Sequence, residues 1–383
     1  MLWSLILFLI FLKQSHEFKF TIVHNNDMHA RYDPMKGSSG KCPQGHDERG
    51  LCFGGFARVA TAVAKARAEG ATIFLNAGDT FHGTSWYGVY KGQLAAELSN
   101  LLDLDAMALG NHELDDNIAG LVPFLDKIKF PIVCCNVNVR KVPQVQGFEN
   151  LVPSTIITKF GRKIGIIGYI TPLTKYYVPY NTIEYSEEIS SINLEAKLLI
   201  MKGVNIIIAL GHSGYEKDRM IALHCPDVDV VIGGHSHTFL YTGNEPDEEK
   251  SEGDYPTVMI RPDGRQVPVL QAYAFTKYLG KIDLEFDDMG NLINFNGTPM
   301  LLDKWVPQQT NIKSLLDIKR KQIDIINKKY WEERNSFLKT IRYLENDDEK
   351  DFPELEKSSS IGYEVKRLQA IIMISAFVLI HIF

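Results

Sequence analysis

Short apolar runs alternate with amphipathic stretches along most of the chain. Runs such as 72–77 and 204–210 are typical of buried strands, because they are short, continuous and rich in branched aliphatic residues. The pattern predicts strands at 20–23, 72–77, 105–109, 131–137, 204–210 and 228–232, and helices at 54–69, 92–102, 116–129, 187–201 and 216–224. This alternation predicts a layered α/β core.

The pattern changes in the second half of the chain. Segments 154–160 and 163–169 flank a Gly-Arg pair and predict a hairpin. Three further strands, predicted to be antiparallel, follow at 257–260, 266–273 and 277–286. A long amphipathic helix is predicted at 312–334.

Polar side chains that can bind metal ions follow five of the apolar runs. They are Asp27 and His29, Asp79, Asn111 with His112, His212, and His235 with His237. Strand ends of this kind lie at the carboxyl edge of a sheet, where open α/β folds build their sites. The stretch around Asn111 taken alone could equally be a turn whose polar residues cap a helix. Five such coincidences are improbable, so the set predicts a site.

The order D-x-H, GD, GNHE, GH, GGHxH resembles the pattern of the calcineurin-like metallophosphatases. The sequence around these motifs, over roughly residues 18–344, resembles the amino-terminal domain of the ecto-5'-nucleotidases and the secreted apyrases. The stretches that carry this likeness are His24–Asp27, Ala108–Glu113, Ala209–Gly214 and Gln271–Phe275. The resemblance implies a four-layered β-sandwich flanked by helices and followed by a long linker helix.

The resemblance also implies two divalent metal ions. One would be held by Asp27, His29 and His237, the other by Asn111, His212 and His235, and Asp79 would bridge them. Mixed nitrogen and oxygen ligands suit zinc, with manganese or iron as alternatives. Two such ions activate a hydroxide as the nucleophile for phosphate ester hydrolysis.

His112 is predicted to have a catalytic role rather than a metal-binding one. Its neighbour Asn111 is assigned to a metal, so the imidazole is free to face the phosphate. Asp115 would fix its tautomer and favour the protonated form, which stabilises the phosphoryl oxygens. The alternative is that His112 simply begins a helix and is solvated beside Asp115 and Asp116.

The resemblance implies hydrolysis of nucleoside 5'-phosphates to nucleoside and phosphate. An apyrase-like hydrolase of ATP and ADP is an alternative, and so is a truncated product that binds with little turnover. The resemblance fades after Leu344, so we expect the second domain, which grips purine and ribose in the family, to be absent. The oligomeric state stays open.

Composition, charge and cysteine positions limit the class of protein and the kinds of partner that the chain can have. Hydrophobic residues make up 45% of the chain and charged residues 23%, which is ordinary for a globular protein. The net charge of −6 argues against a nucleic-acid partner. Cys42 and Cys52 flank a polar loop and predict a disulfide, with metal ligation as the weaker alternative. At least one of the adjacent Cys134 and Cys135, on an apolar run, is predicted to be a buried free thiol.

The two ends of the chain predict export and membrane anchoring. An apolar stretch at 2–12 is typical of a cleaved secretory signal, with an uncleaved anchor as the alternative. Ser358 to Ser360, a polar spacer and the apolar run 371–383 follow the order of a GPI-anchor signal. Asn296 begins a glycosylation sequon, whose alternative is an unmodified turn. We therefore expect an extracellular protein, held at the cell surface by a lipid anchor or secreted.

The predicted divisions of the chain follow from these features. They are a signal peptide at 1–16, a metallophosphatase domain at 17–305, a linker helix at 306–344, an acidic linker with the candidate anchor site at 345–360, and a spacer with the apolar tail at 361–383.

Overall fold

The computed structural model describes residues 17–178 and 182–347. Its strands are β1 (Phe18–Asn25), β2 (Met35–Lys36), β3 (Cys52–Phe53), β4 (Thr72–Asn76), β5 (Ala106–Ala108), β6 (Ile132–Val133), β7 (Val137–Asn138), β8 (Leu151–Val152), β9 (Ser154–Lys159), β10 (Arg162–Ile170), β11 (Glu184–Tyr185), β12 (Ile206–His212), β13 (Val230–Ile232), β14 (Thr257–Ile260), β15 (Gln266–Leu270), β16 (Tyr278–Phe286), β17 (Leu292–Gly297) and β18 (Met300–Leu301). Its α-helices are α1 (Phe56–Glu69), α2 (Ser85–Leu102), α3 (Asn117–Leu125), α4 (Thr174–Tyr177), α5 (Glu188–Met201), α6 (Tyr215–His224) and α7 (Thr310–Asp347).

Two sheets form the centre of the fold. The first has the order β17-β16-β1-β4-β5-β6-β8, with β18 also paired to β16, and β1, β4, β5, β6 and β8 run parallel. The second has the order β14-β15-β13-β12-β10-β9, in which β10, β12, β13 and β15 are parallel. Strand β12 is buried at every position, as expected when both faces of a parallel sheet are covered.

Three apolar clusters define four layers. One lies between the sheets and joins side chains such as Leu75 and Ile208. A second packs α1, α2, α3 and α7 on the outer face of the first sheet, and a third packs α5 and α6 on the outer face of the second. The predicted layered α/β fold, with two sheets between helices and a long following helix, is therefore confirmed.

Some elements differ from the sequence-based expectation. The predicted hairpin is present as β9 and β10. Of the three strands predicted to be antiparallel, β14 and β15 pair antiparallel in the second sheet, whereas β16 lies in the first sheet and pairs antiparallel with β1. The final helix, predicted at 312–334, spans Thr310–Asp347. Ile312, Leu316 and Ile323 are buried in its first turns, and the helical backbone continues beyond them.

The cysteines are arranged as the sequence predicted. Cys42 and Cys52 form a disulfide, which excludes their use as metal ligands. Cys134 and Cys225 are buried free thiols. None of the helices in residues 17–178 and 182–347 is long and apolar enough to cross a membrane. The candidate signal sequence and the candidate anchor signal lie outside the described residues.

The two sheets approach each other closely at Gly168 on β10. A Cβ atom there would overlap the backbone carbonyl of Val133 on β6. The Gly168 carbonyl accepts a hydrogen bond from Cys135 N at 2.8 Å, so the backbones of the two layers are joined at this point.

We expect Gly168→Ala to destabilise the protein by about 1 to 3 kcal/mol or more, because the sheets must separate to admit a methyl group. The matched control is Gly70→Ala, since a Cβ at Gly70 meets no atom within 4 Å and the backbone there is extended. Denaturant unfolding of both variants measures the difference. Equal free energies of unfolding would show that the close approach at Gly168 is not a constraint.

Candidate metal centre

The predicted ligands converge where the carboxyl ends of the two sheets meet. Asp27, Asp79 and Asn111 follow the neighbouring parallel strands β1, β4 and β5 of the first sheet. His212 ends β12 and His235 follows β13 of the second sheet. Carboxyl ends of parallel strands place polar loops on one edge, and the face-to-face packing of the sheets brings both edges together.

The first group of ligands is Asp27, His29 and His237. His237 Nε2 lies 3.2 Å and His29 Nε2 3.7 Å from Asp27 Oδ1. The two imidazole Nε2 atoms are 3.0 Å apart. Nitrogen and oxygen atoms that point at one another in this way have the arrangement expected of ligands around one cation.

The second group is Asp79, His212 and His235. Asn111 follows Gly110, where a Cβ atom would overlap Asp79 Oδ1, so its turn adjoins this group. His212 Nε2 is 2.8 Å from Asp79 Oδ2. Its other nitrogen, Nδ1, donates a hydrogen bond to the Ala77 carbonyl at 2.7 Å. This bond fixes the ring so that Nε2 is the atom available to a metal.

The backbone holds five of these residues in the left-handed region, which non-glycine residues seldom adopt. They are Asp27, His29, Asp79, His235 and His237, with φ angles of 50°, 48°, 55°, 80° and 53°. Each such residue costs about 1 to 3 kcal/mol, and clusters of them mark functional sites. Gly110 is required beside them, because a Cβ there would overlap Asp79 N and Oδ1.

The two buried carboxylates are ionised. Burial alone would raise the pKa of Asp27 and Asp79, but the neighbouring imidazoles, His212 foremost, hold the pKa of both well below its usual range. Burial would lower the pKa of His212, yet the charges of Asp79 and Asp27 raise it to about 10. The carboxylates therefore draw positive charge to this point, which a divalent cation would supply in place of a proton.

His112 and Asp115 form a pair beside the ligand groups. His112 Nδ1 donates to Asp115 Oδ2 at 2.6 Å, and His112 Nε2 lies 4.0 Å from Asp79 Oδ2. Burial lowers the pKa of His112, but the Asp115 hydrogen bond and the charge of Asp79 outweigh it and raise the pKa to about 9. Both contacts favour the charged form of the imidazole, which is the form that the sequence-based hypothesis assigns to it.

Sequence reasoning did not assign a role to Glu113. Its buried carboxylate accepts hydrogen bonds from the backbone N–H groups of Asp79, Thr80, Phe81 and Gly110, at 2.7 to 3.1 Å. It thus ties the loop after β4 to the turn that carries Asn111 and His112. The one signal in the sequence is an acidic residue directly after Asn-His at a strand end.

The side chains present fit divalent metal ions. Asn111 Oδ1 is buried without a hydrogen-bond partner among the described residues. His212 Nε2 likewise makes no hydrogen bond there, despite its 2.8 Å approach to Asp79. Buried polar atoms normally have partners, so these two are explained by a cation that accepts both as ligands.

Comparison with known proteins agrees with the fold. The calcineurin-like phosphoesterase family matches residues 20–239. Mouse 5'-nucleotidase is 44% identical over 309 residues, which cover 79% of this chain and 53% of the mouse protein. A venom 5'-nucleotidase of Naja atra is 43% identical over 317 residues, covering 81% and 58% of the two chains. The solved 5'-nucleotidase precursor of Thermus thermophilus superposes with a TM-score of 0.74 at 32% identity, covering 80% of this chain and 59% of that one.

The chain therefore belongs to the calcineurin-like phosphoesterase family, whose members use divalent metal ions. Its particular relatives are 5'-nucleotidases, and it spans about half the length of the curated relatives it matches.

We expect the purified protein to bind divalent ions and to gain thermal stability from them, by about 2.7 kcal/mol at a free ion concentration one hundred times Kd. Asp79→Asn should lose bound metal, because Asp79 lies among both sets of ligands. His112→Ala is the matched control and should keep at least two bound ions. Elemental analysis and melting curves measure both variants, and a fall below two ions in His112→Ala alone would reverse the assigned roles.

Proposed function

We propose that the protein hydrolyses nucleoside 5'-phosphates to nucleoside and phosphate at a centre of two divalent ions. Asp27, His29 and His237 would hold one ion, and Asn111, His212 and His235 the other. Zinc is the metal that we propose first, because the groups combine several imidazoles with carboxylate oxygens. When bound, the ions would neutralise the phosphoryl oxygens and activate a water molecule.

The observation that carries the proposal is the position of Asp79 between the two ligand groups. Its Oδ2 is 2.8 Å from His212 Nε2 and 3.9 Å from His29 Nε2. Its Oδ1 accepts a hydrogen bond from His112 N at 2.8 Å, which fixes the carboxylate. A carboxylate that reaches ligands of both groups supports a bridging role.

His112 supports the assignment to phosphate ester chemistry. The ring is about one third exposed, whereas Asp79 beside it is almost fully buried. A charged imidazole that reaches solvent next to the ligand groups can donate a hydrogen bond from Nε2 to a phosphoryl oxygen. Positive charge placed there stabilises negative charge as it redistributes in the transition state.

The substrate class is proposed from the relatives, which are named 5'-nucleotidases, and from the phosphoryl chemistry of the centre. The ligand groups and His112 address the phosphoryl group, which every monoester shares. Recognition of a base requires further contacts, and stacking on one aromatic ring is worth about 1 to 3 kcal/mol, or roughly 5- to 150-fold in binding.

We expect the 383-residue chain to release phosphate from AMP and from an aryl phosphate with kcat/KM values within about fivefold of each other, apart from leaving-group effects. ADP and ATP complete the panel and test the apyrase-like alternative. Asp79→Asn should abolish release from every substrate, and His112→Ala should lower turnover. If the metal-loaded protein released phosphate from none of these esters, the proposed function would be refuted. A strong preference for AMP would indicate that a surface of this chain contacts the base.

We propose that the protein acts outside the cell. The disulfide between Cys42 and Cys52 supports an oxidising compartment, and a relative comes from snake venom. Surface labelling of expressing cells, before and after treatment with a phosphatidylinositol-specific phospholipase, tests this and the proposed lipid anchor. Retention of the protein inside the cell would contradict the first, and failure of the enzyme to release surface protein would contradict the second.

A further inference from the structure

The two ring nitrogens of His112 face different groups. Its Nε2 side lies toward Asp79, whereas its Nδ1 side lies toward Asp115. A second imidazole, that of His82, also approaches Asp115. Its Nδ1 lies 2.9 Å from the same carboxylate oxygen that His112 contacts. The three ligand atoms of His82, His112 and Asp115 all lie within 4.8 Å of one another.

The His82 nitrogen lacks a hydrogen-bond partner. His82 Nδ1 is buried and makes no hydrogen bond among the described residues, although Asp115 Oδ2 is within reach by distance alone. A buried nitrogen that faces a carboxylate without bonding to it is an exception that calls for an explanation. A cation between them would bind both atoms.

The loop that carries His82 is held in place on both sides. His82 has a φ of 56°, and Gly83 follows with a φ of 109°. Before His82, the N–H groups of Thr80 and Phe81 donate to Glu113 Oε1 at 2.7 and 3.1 Å. After it, Thr84 Oγ1 donates to the Ala30 carbonyl at 2.8 Å. The position of His82 is therefore fixed by the same residue, Glu113, that fixes the turn of His112.

We propose that His82, His112 and Asp115 form a third cation site, next to the two proposed ions, that binds zinc and inhibits the enzyme. Two imidazole nitrogens and one carboxylate oxygen are zinc ligands, and three protein ligands leave a position for water. The side chains of His82 and His112 are each 34% exposed and that of Asp115 is 21% exposed, so the ion can enter from solvent.

Inhibition follows from the position of His112 between the sites. An ion on Nδ1 replaces the 2.6 Å hydrogen bond by which Asp115 orients the His112 ring, and the Nδ1 proton is released to solvent. The ring is then held by the ion instead of by Asp115, which shifts Nε2 from the position 4.0 Å from Asp79 in which it would act on the phosphoryl group. This consequence rests on the proposed function, whereas binding of the third ion does not.

The experiment is a zinc titration of the metal-loaded full chain. Phosphate release from AMP should fall as zinc exceeds the amount that fills the two proposed positions. In His82→Ala and His82→Gln, inhibition relative to each variant's own activity should need at least about tenfold more zinc. His46→Ala, which removes a half-buried histidine from the disulfide loop, should behave as the original protein does. Unchanged inhibition in both His82 variants would overturn the proposal.

Equilibrium dialysis with zinc tests the site without catalysis. The unaltered protein should bind one more ion than His82→Ala. The Asp79→Asn variant, in which hydrolysis is abolished, should still bind the third ion. Adding His82→Ala to that variant should remove it. Equal zinc content with and without His82 would refute the third site even if the protein is an active phosphatase. An extra ion in a protein that hydrolyses nothing would instead support the site and refute the proposed function.

Discussion

The structure depends on keeping two carboxylates buried side by side. Asp27 and Asp79 are 0% and 2% exposed, and one imidazole, that of His212, lies within 3.7 Å of both. Burying like charges together is strongly unfavourable unless positive charge compensates them. The first sheet supplies both carboxylates and the second sheet supplies His212, so the compensation requires the two sheets to pack in one register.

The contact between the sheets provides that register. Gly168 lets β10 approach β6 without a side chain between them, and the His212 bond to Ala77 joins the second sheet to the loop after β4. The left-handed residues at the ligand positions persist because these contacts and the Glu113 hydrogen bonds restrain the loops. The core thus stabilises a set of loop conformations that would otherwise be unfavourable.

His112 lies between the metal-ligand groups and the pair formed by Asp115 and His82. One edge of its ring lies toward the ligand groups and the other toward Asp115 and His82. A residue in that position is sensitive to charge on either side, so the same geometry that supports a role at phosphate also supports control by a second ligand. The Glu113 hydrogen bonds restrain both the turn that carries His112 and the loop that carries His82.

The sequence by itself determined the kinds of element and the candidate ligands. Each ligand follows an apolar strand, and that local pattern is visible residue by residue, as is the disulfide. Only the tertiary structure decided which strand ends meet, because pairing between distant segments depends on packing rather than on local propensity. It moved β16 into the first sheet, placed Glu113 under four backbone N–H groups, and set His82 against Asp115. No pattern in the neighbourhood of His82 predicts this contact, because its partner lies on a separate loop that follows a different strand of the sheet.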